Sequence, residues 1–422
     1  VQPSRREFLQ RSASALCALR LQALDRRAGT HELAIDSSDS SDLQFLVPLL
    51  ANVRIVQLGE NGHGESESMR VRARIARFLV EQLDFDVLAF ESSLFLAYLA
   101  DQRLGDTDAR RTLTSSLIGV WHTREMLPLF EFMRERRAAG KPIHLAGFDV
   151  QPIGSNRKQR PAFFGDLAAQ LDPDFARTAV SLDNEFMEAY SKPSAQRREY
   201  LRANGERLAA DYDRLAAFFE RHVEKLTREK GDAALIARQE AQSAAAYVRF
   251  QSAADMRKYA ETRDEGMFEN LKFFAEQLFK DRRIVVWGHN YHLRHENAAI
   301  PPSKEVFPGV EARSMGTWTR RHFGRRVYTI GQYERTGTAI DNSRKEYQIS
   351  APGERTLEAR LMRPGDKALF IDINQARTAA EGDWLDRPVI ARYNGQHPET
   401  FVPSVQYDAV LMLQKVSPPG FV

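Results

Sequence analysis

An α/β fold with a mostly parallel central sheet flanked by helices is predicted for this chain of 422 residues, and three observations predict it. Seven short apolar runs recur along the chain, each ending in polar or glycine residues. A stretch of helical spacing joins the first run to the second, which makes a strand-helix-strand unit. Over a hundred residues in the middle carry helical periodicity and contain no strand-like run.

The elements follow in chain order. Ser4 to Gln10 reads SRREFLQ and resembles the twin-arginine export signal, a receptor-read address. That implies a periplasmic or secreted protein, with a cytoplasmic one as the alternative. Arg20 interrupts the apolar stretch that follows, and Leu16 before Cys17 does not suit lipid-anchor cleavage. Residues 1–35 are therefore expected to stay outside the fold. DSSDSSD (Asp36 to Asp42) reads as a polar linker, and residues 36–422 as one domain.

The seven runs are VRIVQLGE, DVLAFESS, IHLAGFDV, RIVVWGHN, VYTIGQY, ALFIDIN and AVLMLQ. They are rich in β-branched and aromatic residues and continuous rather than alternating, as strands buried on both faces are. Between the first two, Met69, Ile75, Phe78, Leu79 and Leu83 lie near helical spacing. From about 161 to 280, Leu208, Tyr212, Leu215, Phe219 and Val223 alternate steps of four and three. The glycine in EKGD (Glu229 to Asp232) stops that helix, and AALIARQEAQSAAAYVRF restarts it. This predicts a long helical hairpin inserted into the core, its helices beside the sheet and able to wall a cleft. PPSKEVFPG and QYERTGTAI, after residue 300, read as loops over that cleft.

Composition narrows the function. Lys and Arg number 60 against 57 Asp and Glu, a net charge of +3, and no basic run is interleaved with aromatics. That argues against a nucleic-acid partner. No apolar stretch approaches the roughly 20 residues a membrane helix needs, so no membrane partner is expected. Cys17 is the sole cysteine, which excludes an intrachain disulfide and a cysteine metal cluster. There is no Gly-Lys-Ser/Thr phosphate loop and no Gly-x-Ser-x-Gly nucleophile elbow.

In a parallel sheet the ligand crevice lies beyond the carboxyl ends of the strands. Four predicted strands place ionisable residues there: Glu60 with His63, then Glu91, then Asp149, then His289 with His292. A core seldom accepts so many such groups unpaired. Asp149 also suits a helix cap. Gly59, Gly62 and Gly64 are expected to let the chain turn sharply and a substrate approach the backbone. With no serine or cysteine nucleophile in view, water activated by a base remains. An imidazole of ordinary pKa near 6.5 suits that work, and a carboxylate can orient it.

LGENGHGESESMRVRARIARFLVEQLDFDVLAFES resembles the first signature block of the erythromycin esterase family. WHTREMLPLFEFMRE, LAGFDVQP, RDEGMFENLKFF and VVWGHNYHLRH follow in that family's order, over about residues 50 to 300. The resemblance implies an α/β fold with helical additions framing a deep cleft, and hydrolysis of a carboxylic ester, macrolide lactone ring opening included, without a covalent serine intermediate and without a cofactor. It puts His63 on the general base, Glu60 and Glu91 on supporting carboxylates, Arg72 on an arginine of the same cleft, and His289 and His292 on a second imidazole pair.

Two other readings stand beside it. The same Glu and His residues are ligands suited to zinc or manganese, and His289, His292 and His295 lie three apart. A periplasmic protein binding a hydrophobic ligand would use Trp121, Trp287 and Phe90 as pocket walls. The sequence marks no exposed apolar seam from which an oligomeric state follows.

Overall fold

The computed structural model describes residues 28–363, 365–379 and 382–422. The Ser4–Gln10 motif and Cys17 lie outside the described residues. All seven predicted runs are strands. In chain order the large sheet contains β1 (Thr30–Glu32), β2 (Ile55–Glu60), β3 (Val87–Ser93), β4 (His144–Asp149), β5 (Ile284–His289), β6 (Val327–Ile340), β7 (Glu346–Ile349) and β8 (Ala368–Asp372). After a separate hairpin, β9 (Val389–Tyr393) and β10 (His397–Phe401), comes β11 (Ala409–Val416). The spatial order is β1-β8-β11-β6-β2-β5-β3-β4, with β7 added to β6. The run β11-β6-β2-β5-β3-β4 is parallel throughout, and the edge pairs β1/β8, β8/β11 and β6/β7 are antiparallel.

The continuous apolar runs follow from burial on both faces. Val56, Leu58, Leu88, Phe90, Val285 and Trp287 pack on one side with Val71, Ile75 and Phe78 of α1 (Ser66–Leu83). Ile55, Val87, Ala89, Ile284 and Val286 pack on the other with Met267 and Leu271 of a helix near the end of the insertion. Burial of a side chain of this size contributes roughly 1.5–3 kcal/mol, so the three layers are held mainly by these two interfaces. Asp84 ends α1 in the left-handed region at φ 56°.

The insertion is larger than a hairpin. It comprises α2 (Arg160–Ala168), α3 (Pro173–Ser191), α4 (Ser194–Lys230), α5 (Ala233–Gln251) and α6 (Met256–Phe273). The predicted α4–α5 hairpin turns at Gly231, φ 59°, and shares a core of its own with α2 and α3. Among the described residues it does not frame the cleft: only Arg263 of α6 reaches the lining from this whole segment. The reason is packing. The apolar stripe of α4 faces α3 and α5 rather than the strand ends.

Two boundaries also differ. The body begins before residue 36, because Thr30–Glu32 pairs with β8 and Leu33 is buried. DSSDSSD is not a free linker either: Asp42 is bonded to Arg74 at 2.9 Å, and Asp36 pairs with Arg70. Those arginines lie on α1, a proximity that the linear sequence does not display. QYERTGTAI is strand rather than loop, since the far half of β6 pairs with β7 and leaves its polar side chains half-buried. PPSKEVFPG does form a loop, and Phe307 from it lines the cleft. No helix among the described residues is long and apolar enough to cross a membrane.

Candidate active site

The strand ends meet a cleft of about 1060 Å³. β2 ends on Glu60, and the chain continues as Asn61-Gly62-His63-Gly64 before α1. None of these glycines has a positive φ, so the sharp-turn expectation is corrected. They are glycines because neighbours press on them: a Cβ at Gly59 would lie 2.2 Å from Asn290 Oδ1, and one at Gly64 2.1 Å from Ile340 Cγ1. Gly62 does line the cleft.

Glu60 is fully buried and receives three donors. His63 Nδ1 lies 2.5 Å from Oε1, the Trp121 indole N–H donates to Oε1 at 3.1 Å, and the Arg72 guanidinium donates to Oε2. Burial raises the carboxyl's pKa, but Arg72 and His63 outweigh burial and hold it below its usual value. For His63, burial opposes the charged ring, yet the bond to Glu60 and the charges of Glu60 and Glu91 prevail. Its pKa is raised. His63 Nε2 has no hydrogen-bond partner among the described residues, and the ring lines the cleft.

Glu91 sits where the register of β3 on β4 shifts, between Phe90 and Ser93. Such an irregularity re-aims a side chain. Its Oε2 accepts the His289 backbone N–H at 2.9 Å, and its Oε1 faces Arg263 at 3.1 Å and His292 at 3.2 Å. Burial works against the Glu91 charge, but His292, His63 and Arg263 hold its carboxyl well below the usual range.

His289 ends β5, directly opposite Glu60 in the strand register. Its Nδ1 accepts the Tyr291 backbone N–H at 3.1 Å, so the proton is on Nε2, which donates to the Asn61 carbonyl at 2.9 Å and Asn394 Oδ1 at 3.0 Å. Burial and the neighbouring His63 pull its pKa down to about 4, and the ring is neutral. His292 is the opposite case. It lies between Glu91 and Asp264, whose Oδ1 is 2.8 Å from Nδ1. Burial opposes the charge, but Asp264 and Glu91 raise its pKa to about 9, so it is an imidazolium at neutral pH. Arg263 Nη1 lies 3.3 Å from His292 Nε2, an approach of two cations that Asp149 and Glu91 neutralise.

The structure therefore brings Glu60, His63, Glu91, His289 and His292 together, with Asp149 beside them. Asp149 caps no helix; it accepts two bonds from Arg263, at 3.2 and 2.8 Å. Arg72 is not a cleft residue. It is 1% exposed behind Glu60, with its guanidinium carbon 4.1 Å from the centre of the Trp287 ring. Trp121, Trp287 and Phe90 are likewise buried behind the site rather than pocket walls, and Phe90 packs on both tryptophans. The His289, His292 and His295 triplet does not converge: His295 faces Asp408 at 3.6 Å, away from the other two. Among the described residues no three His, Cys, Asp or Glu side chains are placed to hold a metal ion.

Several residues in or just behind the cleft lining are not marked by the sequence. Arg263 and Asp264 open the RDEGMFENLKFF block, but adjacent opposite charges on a helix read as a solvated face. Tyr393 and Asn394 come from the β9–β10 hairpin. Its signal was the Asn394-Gly395 pair between two short strands, a strong hairpin mark. Asn61 sits inside the quoted loop, where its side chain accepts the Asn394 backbone N–H at 3.0 Å.

Comparisons with known proteins agree with this picture. A family model described as erythromycin esterase matches residues 80–416. The YbfO protein of Bacillus subtilis (strain 168) is 28% identical over 445 residues, covering 97% of this chain and 95% of that protein. An erythromycin esterase type II of Escherichia coli is 21% identical over 356 residues, covering 78% and 83%. A solved mutant erythromycin esterase in its open conformation is similar in fold, with a TM-score of 0.71 at 16% identity over 93% of this chain and 98% of that one.

Proposed function

The chain belongs to the erythromycin esterase family of hydrolases, and from that premise we propose that it hydrolyses a carboxylic ester with His63 as the general base. One observation carries the assignment. Of the three imidazoles in the cleft, only His63 keeps a ring nitrogen without a partner, while its other nitrogen faces a buried carboxylate. His289 has both nitrogens engaged and is neutral, and His292 is already protonated.

The steps follow from those states. His63 Nε2 takes a proton from water, and the oxygen of that water attacks the ester carbonyl. Glu60 stabilises the imidazolium that results. Arg263 lines the cleft, and its guanidinium is the donor we assign to the oxyanion, at the expense of part of its pairing with Asp149 and Glu91. His63 then returns its proton to the leaving alkoxide, so the cycle closes with one water added. The cleft volume is at the upper end of small-ligand sites, roughly 300–1,000 Å³. Phe307, Tyr347 and Tyr393 line the cleft and place aromatic rings beside a bulky substrate. A macrolide lactone is the substrate class we propose first.

Incubation of the purified protein with several macrolides and simple esters, read by mass spectrometry, tests this. Gain of one water on a macrolide supports the reading. Turnover of simple esters alone discards the macrolide, and no turnover of any ester discards the esterase. The twin-arginine resemblance of Ser4–Gln10 adds export to the proposal; recovery of the protein from the cytoplasm alone would sink that part.

A pH profile checks the Glu60–His63 pair. The base must be unprotonated, so activity rises with pH through the His63 pKa, which Glu60 raises. In Glu60→Gln that support is lost. The acid limb is expected to move to lower pH while the maximal rate falls by about tenfold or more, since an oriented base contributes 10²–10⁴-fold. An unmoved limb would show that another group sets it.

A further inference from the structure

Behind the His63 loop lies a second acidic group that the proposed hydrolysis does not use. Glu65 and Glu334 are fully buried, and one side-chain amide joins them. Gln332 Nε2 donates to Glu65 Oε2 and to Glu334 Oε2, each at 3.3 Å. The amide is oriented from its other end, where Oε1 accepts the Asn61 backbone N–H at 3.2 Å and the Ser68 hydroxyl at 2.8 Å. Glu334 Oε1 accepts Asn61 Nδ2 at 2.8 Å. Glu65 Oε1 is buried and has no partner. It presses on the same loop: a Cβ added to Gly62 would stand 3.1 Å from this oxygen and 3.1 Å from the Tyr347 hydroxyl.

The charged and titratable groups facing this pair are few. Glu60 and Arg72 stand beside Glu65, Glu358 and Arg392 beside Glu334, and Tyr347 between the pair and the cleft. Arg72 is bonded to Glu60, and Arg392 to Glu358 and to backbone carbonyls. Two ionised carboxylates would thus share one amide donor, with one oxygen of Glu65 lacking any donor. A buried charge in that state is costly, whereas a protonated carboxyl tolerates it.

We propose that one carboxyl of the Glu65–Gln332–Glu334 group stays protonated in the folded protein, and that this proton keeps the Asn61-Gly62-His63 segment in its working position. Both glutamates are then positioning residues, and loss of the proton in alkaline solution turns the site off. The route is short: repulsion between the carboxylates pushes Glu65 against Gly62 or Glu334 against Asn61, and His63 follows. The electrostatics agree. Burial and the Glu334 charge raise the Glu65 pKa well above the carboxylate range, and burial brings Glu334 up to about 8. Only the activity readout rests on the esterase reading.

Two measurements test the proposal. The first needs no substrate: Tm of wild type, Glu65→Gln and Glu334→Gln from about pH 5 to about pH 9. A carboxyl with a raised folded pKa binds more protons folded than unfolded. Wild type therefore loses the associated stability as pH rises from the unfolded value of about 4.3 towards about 8. A glutamine at either position puts a neutral amide in place of one carboxyl and removes the repulsion between the two charges, so the variant loses less stability as pH rises. The Tm of each variant minus that of wild type should grow with pH over this window, and a flat difference overturns the retained proton. The second is the pH–rate profile. Wild type should show an alkaline limb that Glu65→Gln carries upward by at least about one pH unit, with the acid limb set by His63 in place. An unmoved alkaline limb overturns the positioning role, because a merely structural loss would lower the whole profile. Should Glu65→Gln fail to fold, Glu334→Gln gives the same two readouts. If no ester is turned over, the esterase reading fails and the Tm series still decides the proton.

Discussion

Replacing His63 with alanine is expected to lower kcat by about 10²–10⁴-fold, the usual contribution of a positioned general base, with KM little changed. The side chain is 13% exposed at the cleft, so the space it leaves opens to water rather than becoming a sealed cavity. Glu60 keeps its bonds from Arg72 and Trp121 and remains an anion. The fold should therefore survive, and Tm should stay near the wild-type value. Loss of kcat alone marks an interaction made in the transition state. Full turnover in His63→Ala would end the general-base assignment, since no other cleft imidazole has a free nitrogen to take its place.

Arg72→Met is expected to be the most destabilising change at the site, by about 3–5 kcal/mol, the usual cost of removing one partner of a buried ion pair. Arg72 is 1% exposed, stacks on Trp287, donates Nε–H to the Ser68 carbonyl at 3.2 Å and neutralises Glu60. Methionine fills much of its volume but leaves Glu60 with a charge that burial no longer tolerates. The Glu60 pKa should then rise, and a neutral Glu60 would support the His63 imidazolium less. Activity at neutral pH is expected to fall together with stability. Denaturant unfolding measures the first effect and the pH profile the second. Unaltered stability in Arg72→Met would mean that Glu60 is already neutral in the wild-type protein.

The parts of this site that the sequence displays are those written into strand ends. Parallel strands buried on both faces read as unbroken apolar runs, so the residue that breaks each run marks the sheet's carboxyl edge. Glu60, Glu91, Asp149 and His289 are such residues. Position along a strand says little about what a side chain then meets. Arg72 shares a face of α1 with apolar neighbours, and only its contact with Glu60, twelve residues earlier, explains its burial. Arg263 and Asp264 lie on a helix whose orientation over β4 and β5 is decided by packing around Met267 and Leu271. Hydrogen-bond direction is further still from the sequence: His63, His289 and His292 are alike in a one-letter code, and only their partners leave one with a free ring nitrogen, one a neutral donor and one a cation. β1 went unread because a three-residue edge strand carries no periodicity.

The pairing of Glu60 with His289 has a consequence for how the protein is made. β2 has β5 on one side and β6 on the other, and both lie more than two hundred residues downstream. A nascent chain can pair β3 with β4 early, but β2 stays without neighbours until β5 has been synthesised and slots between β2 and β3. Closing so long a loop is slow, and unpaired edges attract other chains meanwhile. Refolding from denaturant should accordingly be slow, with yields that fall as protein concentration rises. Hydrolysis should appear only in the last phase, because before that strand arrives the two halves of the centre belong to separate pieces of structure.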